Sequence, residues 1–441
     1  MANSYLTHSG STPTLNTKCT LSVWLKRGNI NSDQTFCSID SSGSDEIYYR
    51  FRSDNQLQIY SGIANGQVFN YRTNRLFRDT SAWYNIVVAI DTTASSGNRM
   101  KIYVNGVQET SFQSSTEMAQ DSVLAFLSGT YAIGRKNNIT GNYFDGYLSH
   151  VAFVDGQALT QTSFGETDST SGIWKFKSPS GVTWGNNGFH LKFENSGALG
   201  TDSSGQSNTF AVNGNLRQAL DTPSNVSCTW SSAQKDAGAL LSRAATQMAR
   251  GGGDGHCTVI GTLGVDSGKW YYECKLDTAG SAANANSIGI VSVRTDAMKT
   301  AGHNAGDDSY HDYFYCGGAE YQGHGGSGSY GSTFTSGDII GVAFDLDNNK
   351  LYFHKNGTYQ NSGVPTSGST GTGAKSITAA DFFVPACGGY DGTIWRANFG
   401  NGYFGTSAIS SAGSNGNGSL FEYDVPSGYY ALNTKNINTY G

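Results

Sequence analysis

Charge and long apolar runs are both scarce in this chain, and each scarcity closes off a class of protein. Charged residues are 14% of the 441, with 28 basic against 34 acidic side chains and a net charge of -6. No basic run stands anywhere, so neither a nucleic-acid backbone nor an anionic membrane is an expected partner. No stretch approaches the ~20 apolar residues that a membrane-spanning helix requires. The opening MANSYLTHSG lacks the basic and apolar regions of a secretory signal, so the chain reads as a soluble protein made in the cytoplasm. Without a secretory signal, its Asn-x-Ser/Thr sequons carry no meaning. The seven cysteines (19, 37, 228, 257, 274, 316 and 387) are odd in number and form no C-x-x-C pair. They read mostly as buried reduced thiols, with a Cys19–Cys37 bridge between neighbouring strands as the alternative. No G-x-S-x-G elbow, H-E-x-x-H helix or phosphate-binding loop occurs; GVDSGKW (264–270) has the wrong spacing and no Ser or Thr after its lysine. No enzyme activity is expected.

What is abundant is glycine, at 58 residues, together with hydroxyl and amide side chains and 12% aromatics. Short β-branched and aromatic runs, such as Leu21 to Leu25, Ile47 to Phe51, Leu57 to Tyr60 and Ile86 to Ile90, recur between Gly, Ser, Asn and Asp clusters. No 3.6-residue period is sustained. That pattern predicts an all-β protein of antiparallel sandwiches, and 441 residues exceed one ordinary core, so two domains are expected. The clearest internal echo sets Asn85 to Val107 beside Ile339 to Tyr359, each a strand, a turn, a strand and Asn-Gly. Asn105-Gly106 and Asn356-Gly357 fit two-residue type I′ turns. The segment 235–250 stays undecided, because Leu240, Leu241, Ala244, Ala245 and Met248 suit a short helix as well as strands.

The motifs TLSVWLKRG (20–28), AWYNIVVAID (82–91), MKIYVNGV (100–107), AIGR (132–135) and YFDGYLSHVAFVDGQALT (143–160) resemble laminin-G-like domains, which implies a concanavalin A-like jelly roll over residues 1–165. GKWYYECKL (268–276), SIGIVS (287–292), SGDIIGVAFDLDNNKLYFHKNG (336–357), FFVPACGGYDG (382–392) and ANFG (397–400) resemble a SPRY domain, which implies a second β-sandwich over 226–405 whose rim loops meet a partner. Residues 166–225 are expected to be a connector packing along the domains, and 406–441 a C-terminal docking segment. With the phrases MANSYL (1–6), FGETDSTSGIW (164–174), ALGTDSSGQSNTF (198–210), DTPSN (221–225) and DVPSGYYALNTKNI (424–437), the whole chain resembles structural proteins of tailed bacteriophages, usually tail-fibre-like or other virion-surface components.

The resemblances direct attention to particular residues. Laminin-G-like domains often hold calcium at the sandwich rim, so Asp40, Asp45, Asp91 and Asp145, near expected strand ends, are candidate ligands; the alternative is that they form turns. Tyr310, His311, Tyr313, Tyr315, Tyr321 and His324 lie in a Gly-rich stretch similar to a SPRY variable loop. They are candidate ligand contacts, with alternate tyrosines facing the core as the other reading. Concanavalin A-like folds include glycosidases, which need two nearby carboxylates, but the E-x-D-x-E strand motif is absent. Glu46, Glu109, Glu166, Glu194, Glu273, Glu320 and Glu422 each stand apart from a matching acid and read as solvated or ion-paired. The expected function is therefore a virion structural protein binding host-surface carbohydrate, oligomeric and in contact with other virion proteins. A purely architectural decoration or tail adaptor, and a polysaccharide-degrading enzyme, are the alternatives.

Overall fold

Alternation becomes strand wherever one set of side chains can be buried. In the Glu46–Phe51 strand, Ile47, Tyr49 and Phe51 enter a core, so Glu46, Tyr48 and Arg50 stand on the opposite face. The computed structural model describes residues 4–64, 66, 68–137, 139–179, 181–251, 255–292, 312–323, 326–378 and 382–441. The protein is 45% strand and 6% helix, in antiparallel sandwich sheets. Among the described residues no helix is long and apolar enough to cross a membrane.

The chain divides into two units, Met1–Gln218 and Ala219–Gly441. In the first, an eight-stranded sheet runs in the order Phe112–Thr116, Val68–Leu76, Gln56–Gly62, Glu46–Phe51, Gln34–Asp40, Thr130–Ile133, Tyr5–Ser9, Ala211–Asn213. A six-stranded sheet runs Phe189–Leu191, Gly146–Asp155, Lys18–Arg27, Trp83–Asp91, Met100–Val104, Val107–Gln108. Leu21, Val23 and Ile86 of the second sheet meet Ile47, Ile59 and Tyr131 of the first in one core. Residues 166–218, expected as connector, supply the Phe189–Leu191 and Ala211–Asn213 edge strands to these sheets.

In the second unit a seven-stranded sheet runs from Trp230–Lys235 through His256–Gly261, Phe383–Tyr390, Ser287–Ser292, Asp312–Cys316 and Glu320–Gly323 to Gly326–Ser329. The facing sheet orders Ala239–Ser242, Gln247–Arg250, Ile394–Asn398, Lys269–Thr278, Ile339–Asp345, Lys350–Lys355 and Thr358–Tyr359, with Lys375–Ser376 and Tyr430–Ala431 attached to it. A main core holds Trp230, Trp270, Tyr272 and Trp395. A smaller one joins Tyr271, Ala343 and Tyr352 to Phe421, Val425 and Tyr429 of the C-terminal segment. All seven cysteines are free and buried, so Cys19 and Cys37 are not bridged.

Segment 235–250 resolves as the hairpin of Ala239–Ser242 and Gln247–Arg250, with Leu241 buried and Leu240 exposed. The two Asn-Gly turns are as expected, with φ of 48° and 81° at Asn105 and Gly106 and 48° and 82° at Asn356 and Gly357. They share more than backbone shape. Asn105 Oδ1 accepts the Asn85 N–H at 2.7 Å, and Asn356 Oδ1 accepts the Ile339 N–H at 2.8 Å. Each asparagine thus satisfies an amide near the start of the strand paired with the one before its turn, Trp83–Asp91 or Ile339–Asp345, which glycine at that position could not do. Each glycine lies under an aromatic ring from later in the chain, Trp174 over Gly106 and Tyr423 over Gly357, where a Cβ would come within 2.3 and 2.7 Å of ring carbons.

Candidate functional site

The outer face of the eight-stranded sheet carries aromatic and amide side chains in place of the usual Ser and Thr. Tyr48, Tyr60, Asn70 and Thr116 stand in one row across four strands, and Arg50, Gln58, Arg72 and Ser114 in the next. Tyr48 and Tyr60 stack with ring centroids 5.1 Å apart, and the ammonium of Lys136 lies 4.4 Å from the Tyr48 centroid. That contact occupies Tyr48, while Tyr60 stays partly open to solvent.

Hydrogen bonds fix the neighbouring groups. Arg50 Nε donates to Gln58 Oε1 at 2.9 Å, and Gln58 Nε2 donates to Asn70 Oδ1 at 2.8 Å. Arg50 is paired with Asp33 at 3.1 Å, Arg52 with Asp54 at 3.4 Å, Lys136 with Glu46 at 2.9 Å, and Arg72 also with Asp54. Surface ion pairs of this kind add little stability, but they hold long side chains in place and leave each cation with a carboxylate partner. The result is a pre-organised face on which Tyr60 and Asn70 stay partly open, Gln58 is buried among its partners and little charge is left free. Its signal in the sequence was present at positions 48/50, 56/58/60 and 70/72, where alternate residues of three successive strands are Tyr, Arg, Gln or Asn.

The residues chosen from sequence distribute differently. Tyr310, His311 and His324 lie outside the described residues. Tyr313 and Tyr315 are 3% and 0% exposed. Tyr315 packs against Tyr330, Phe334 and Phe353, so both are core side chains and neither offers a contact surface. Tyr321 remains, half-buried on the Glu320–Gly323 strand.

The four aspartates do not converge. Asp40 and Asp45 share a turn: Asp40 accepts the Gly43 N–H at 2.8 Å and Asp45 the Ser42 hydroxyl at 3.0 Å within it, and Asp45 also accepts the Ala64 N–H at 2.7 Å from the loop after Gln56–Gly62. Asp91 pairs with Lys18 at 2.9 Å. Asp145 sits beside Gly28, whose N–H its carbonyl accepts, at the other end of the Lys18–Arg27 strand and so roughly 30 Å away at ~3.3 Å per residue. Among the described residues no group of three or more His, Cys, Asp or Glu side chains could hold a metal.

Glu46, Glu109, Glu166 and Glu194 are ion-paired, but Glu273 corrects the expectation of a solvated or paired acid. It is fully buried. Its Oε1 and Oε2 accept the backbone N–H groups of Tyr423 and Glu422, both at 2.9 Å, and Oε1 also accepts the Tyr271 hydroxyl at 2.8 Å. His354 Nε2 lies 2.6 Å from that hydroxyl, and its Nδ1 accepts the Gly357 N–H at 3.1 Å. A Tyr–His–Glu set resembles acid–base machinery, but all three side chains are sealed from solvent. They hold the C-terminal segment against the sheet.

Two antiparallel sandwiches, one with a polar-aromatic face, place the chain among all-β proteins built of sandwich domains. Residues 1–163 match the concanavalin A-like lectin/glucanases superfamily and residues 269–402 match the SPRY domain, so the chain carries one domain of each kind. A lectin-type domain points to carbohydrate or ligand binding. Similar solved structures include the SPRY domain of human HERC1, at 16% identity over 38% of this chain and 96% of that one with a TM-score of 0.30. A human SPRY domain aligns at 18% identity over 36% and 94%, TM-score 0.27. The native heptameric SAP-like pentraxin from Limulus polyphemus aligns at 17% over 48% and 87%, TM-score 0.31. No curated protein matches the chain.

Proposed function

We propose that the first unit binds a neutral carbohydrate on the outer face of its eight-stranded sheet, and that the chain is a non-enzymatic virion structural protein of a tailed bacteriophage. In this reading it is a tail-fibre-like or surface component that recognises host-surface sugar. The Tyr48–Tyr60–Asn70 and Arg50–Gln58–Arg72 rows carry the sugar reading. The half-open Tyr60 ring supplies a stacking surface, and the Asn70 amide and the guanidinium groups, already held in position, supply hydrogen bonds to hydroxyls with less side-chain entropy to lose at binding. Because each cation is paired, uncharged hydroxyls suit the face better than sulfates or uronates. The virion reading rests on the phage-like phrases of the sequence, from MANSYL to DVPSGYYALNTKNI. Weak single sugar sites gain from repetition, which favours a homo-oligomer in contact with other virion proteins.

A glycan array probed with the intact chain tests the sugar site. Neutral glycans are expected to bind, and Tyr60→Ala is expected to weaken them by about tenfold, the scale of one lost aromatic contact. Equal binding by the variant would move the site elsewhere. Antibody labelling of whole particles tests the virion role: label on the tail supports an appendage, label over the head makes the chain a decoration, and no label removes the reading. New reducing ends released from host polysaccharide would restore the enzyme.

A further inference from the structure

Most buried or half-buried polar groups in the second unit have partners, and the exceptions at one sheet edge converge. Tyr321 stands opposite Tyr315 in the seven-stranded sheet, while Lys375 stands opposite Leu351 at the edge of the facing sheet. The Lys375 ammonium reaches across to lie 4.4 Å from the Tyr321 ring centroid and 5.1 Å from that of Tyr330. The two rings are 6.1 Å apart.

Both phenol oxygens are buried, and neither hydroxyl has an acceptor for its proton among the described residues. Tyr330 is only 4% exposed, and the backbone group that acts on it, the Phe353 N–H, is itself a donor. Lys375 likewise lacks a carboxylate at ion-pair distance among the described residues. Lys269 and Lys355 in the same sheet reach Asp345 at 3.0 Å and Asp338 at 3.2 Å. Donors held out of water without acceptors are costly, and here two hydroxyls share that condition beside an ammonium that has no carboxylate partner. The aromatic faces offset part of the cost for the cation but accept nothing from the phenols.

We infer that Lys375, Tyr321 and Tyr330 form a binding site for an oxyanion, the carboxylate, sulfate or phosphate group of a ligand, at this edge of the second sandwich. One such group supplies both a counter-charge and several acceptor lone pairs. Lys375 and Tyr321 are half-exposed, so the anion has a route from solvent. Burial lowers the pKa of the ammonium, and a bound anion would reverse that shift. The site is independent of the sugar face of the first unit and takes a ligand of opposite character, charged where that face is matched to neutral groups.

Titration of the intact chain with sodium acetate, sulfate and phosphate at constant ionic strength, followed by calorimetry, tests this. At least one of the three is expected to bind, and the preferred one identifies the source as carboxylate, sulfate or phosphate. Lys375→Met should weaken it more than tenfold, and Tyr330→Phe by roughly three- to tenfold, the scale of one hydrogen bond to a charged group. A readout that needs no variant is acetylation of Lys375 by an amine-selective reagent, which the bound anion should slow. Failure of all three anions to bind at tens of millimolar overturns the proposal, as does binding that Lys375→Met leaves unchanged while acetylation of Lys375 stays fast.

Discussion

At Glu273 a single side chain sets both a contact and a pH dependence. Burial raises its pKa to about 7 against the pull of the Tyr423 and Glu422 N–H groups and the Tyr271 hydroxyl. Burial likewise lowers His354 to about 3, so the imidazole is neutral. Because Nδ1 accepts from Gly357, the proton sits on Nε2 and points to Tyr271, which in turn donates to Glu273. The chain of donors ends on one buried carboxylate. A folded pKa above the ordinary 4.5 means that the contribution to stability is full below that value and is lost as pH rises through about 7. Relative to Glu273→Gln, which does not titrate, the protein should lose about 3 kcal/mol between pH 4.5 and 7. Urea unfolding of both proteins across that range measures it; parallel curves would mean that the carboxylate is not desolvated as described. No sequence pattern hints at this role. Alternation alone sets Trp270 and Tyr272 on one face of their strand and marks them as core, but the groups that hold Glu273 come from residues 422 and 423, and no local pattern announces a contact that distant.

Among the elements, the strands were readable because burial on one face imposes a period of two, and the Asn-Gly turns because only a few residue types tolerate two successive positive φ angles. The hairpin at 239–250 was not readable, for a physical reason. Its turn places Arg243, Ala244 and Ala245 at φ of 57°, 56° and 59°, a left-handed run with no glycine to signal it. The segment therefore carries helix-forming residues in a conformation that disfavours them. Ala245 is buried and its carbonyl accepts the Trp230 N–H at 2.9 Å, so tertiary contacts impose the turn. Ala244 is half-exposed, and glycine there would relieve ~1–2 kcal/mol of left-handed strain at an unfolded-state cost of ~0.5–1 kcal/mol. Ala244→Gly should thus stabilise the second unit by about 0.5–1 kcal/mol, read as a higher urea midpoint. A lower midpoint would mean that the turn is not strained at this residue. The face proposed to bind sugar escaped notice for a related reason: its eight residues come from four strands, and only strand register makes two rows of them.

On the scale of the whole molecule, each unit has its own core, and the C-terminal segment belongs to the second. Phe421, Val425, Tyr429, Ala431 and Leu432 are buried against that unit's outer sheet and main core, and the Glu422 and Tyr423 amides are the ones Glu273 holds. Ending the chain after Asn417 removes all of them together. The four larger side chains contribute ~1.5–3 kcal/mol each, or roughly 6–12 kcal/mol, and Glu273 would be left as a buried acceptor without its amide donors. That loss equals most of the ~5–15 kcal/mol by which a domain is ordinarily stable. The shortened chain should therefore show a cooperative thermal transition for the first unit unchanged from the full chain, with the transition of the second unit lost or shifted far down. Neutral-glycan binding should survive, because its residues lie between 46 and 116, whereas anion binding at Lys375 should disappear. Scanning calorimetry with both ligands separates the outcomes. If both transitions survive the truncation, the segment is an attachment and not part of the second unit's fold; if both vanish, the two units do not fold independently.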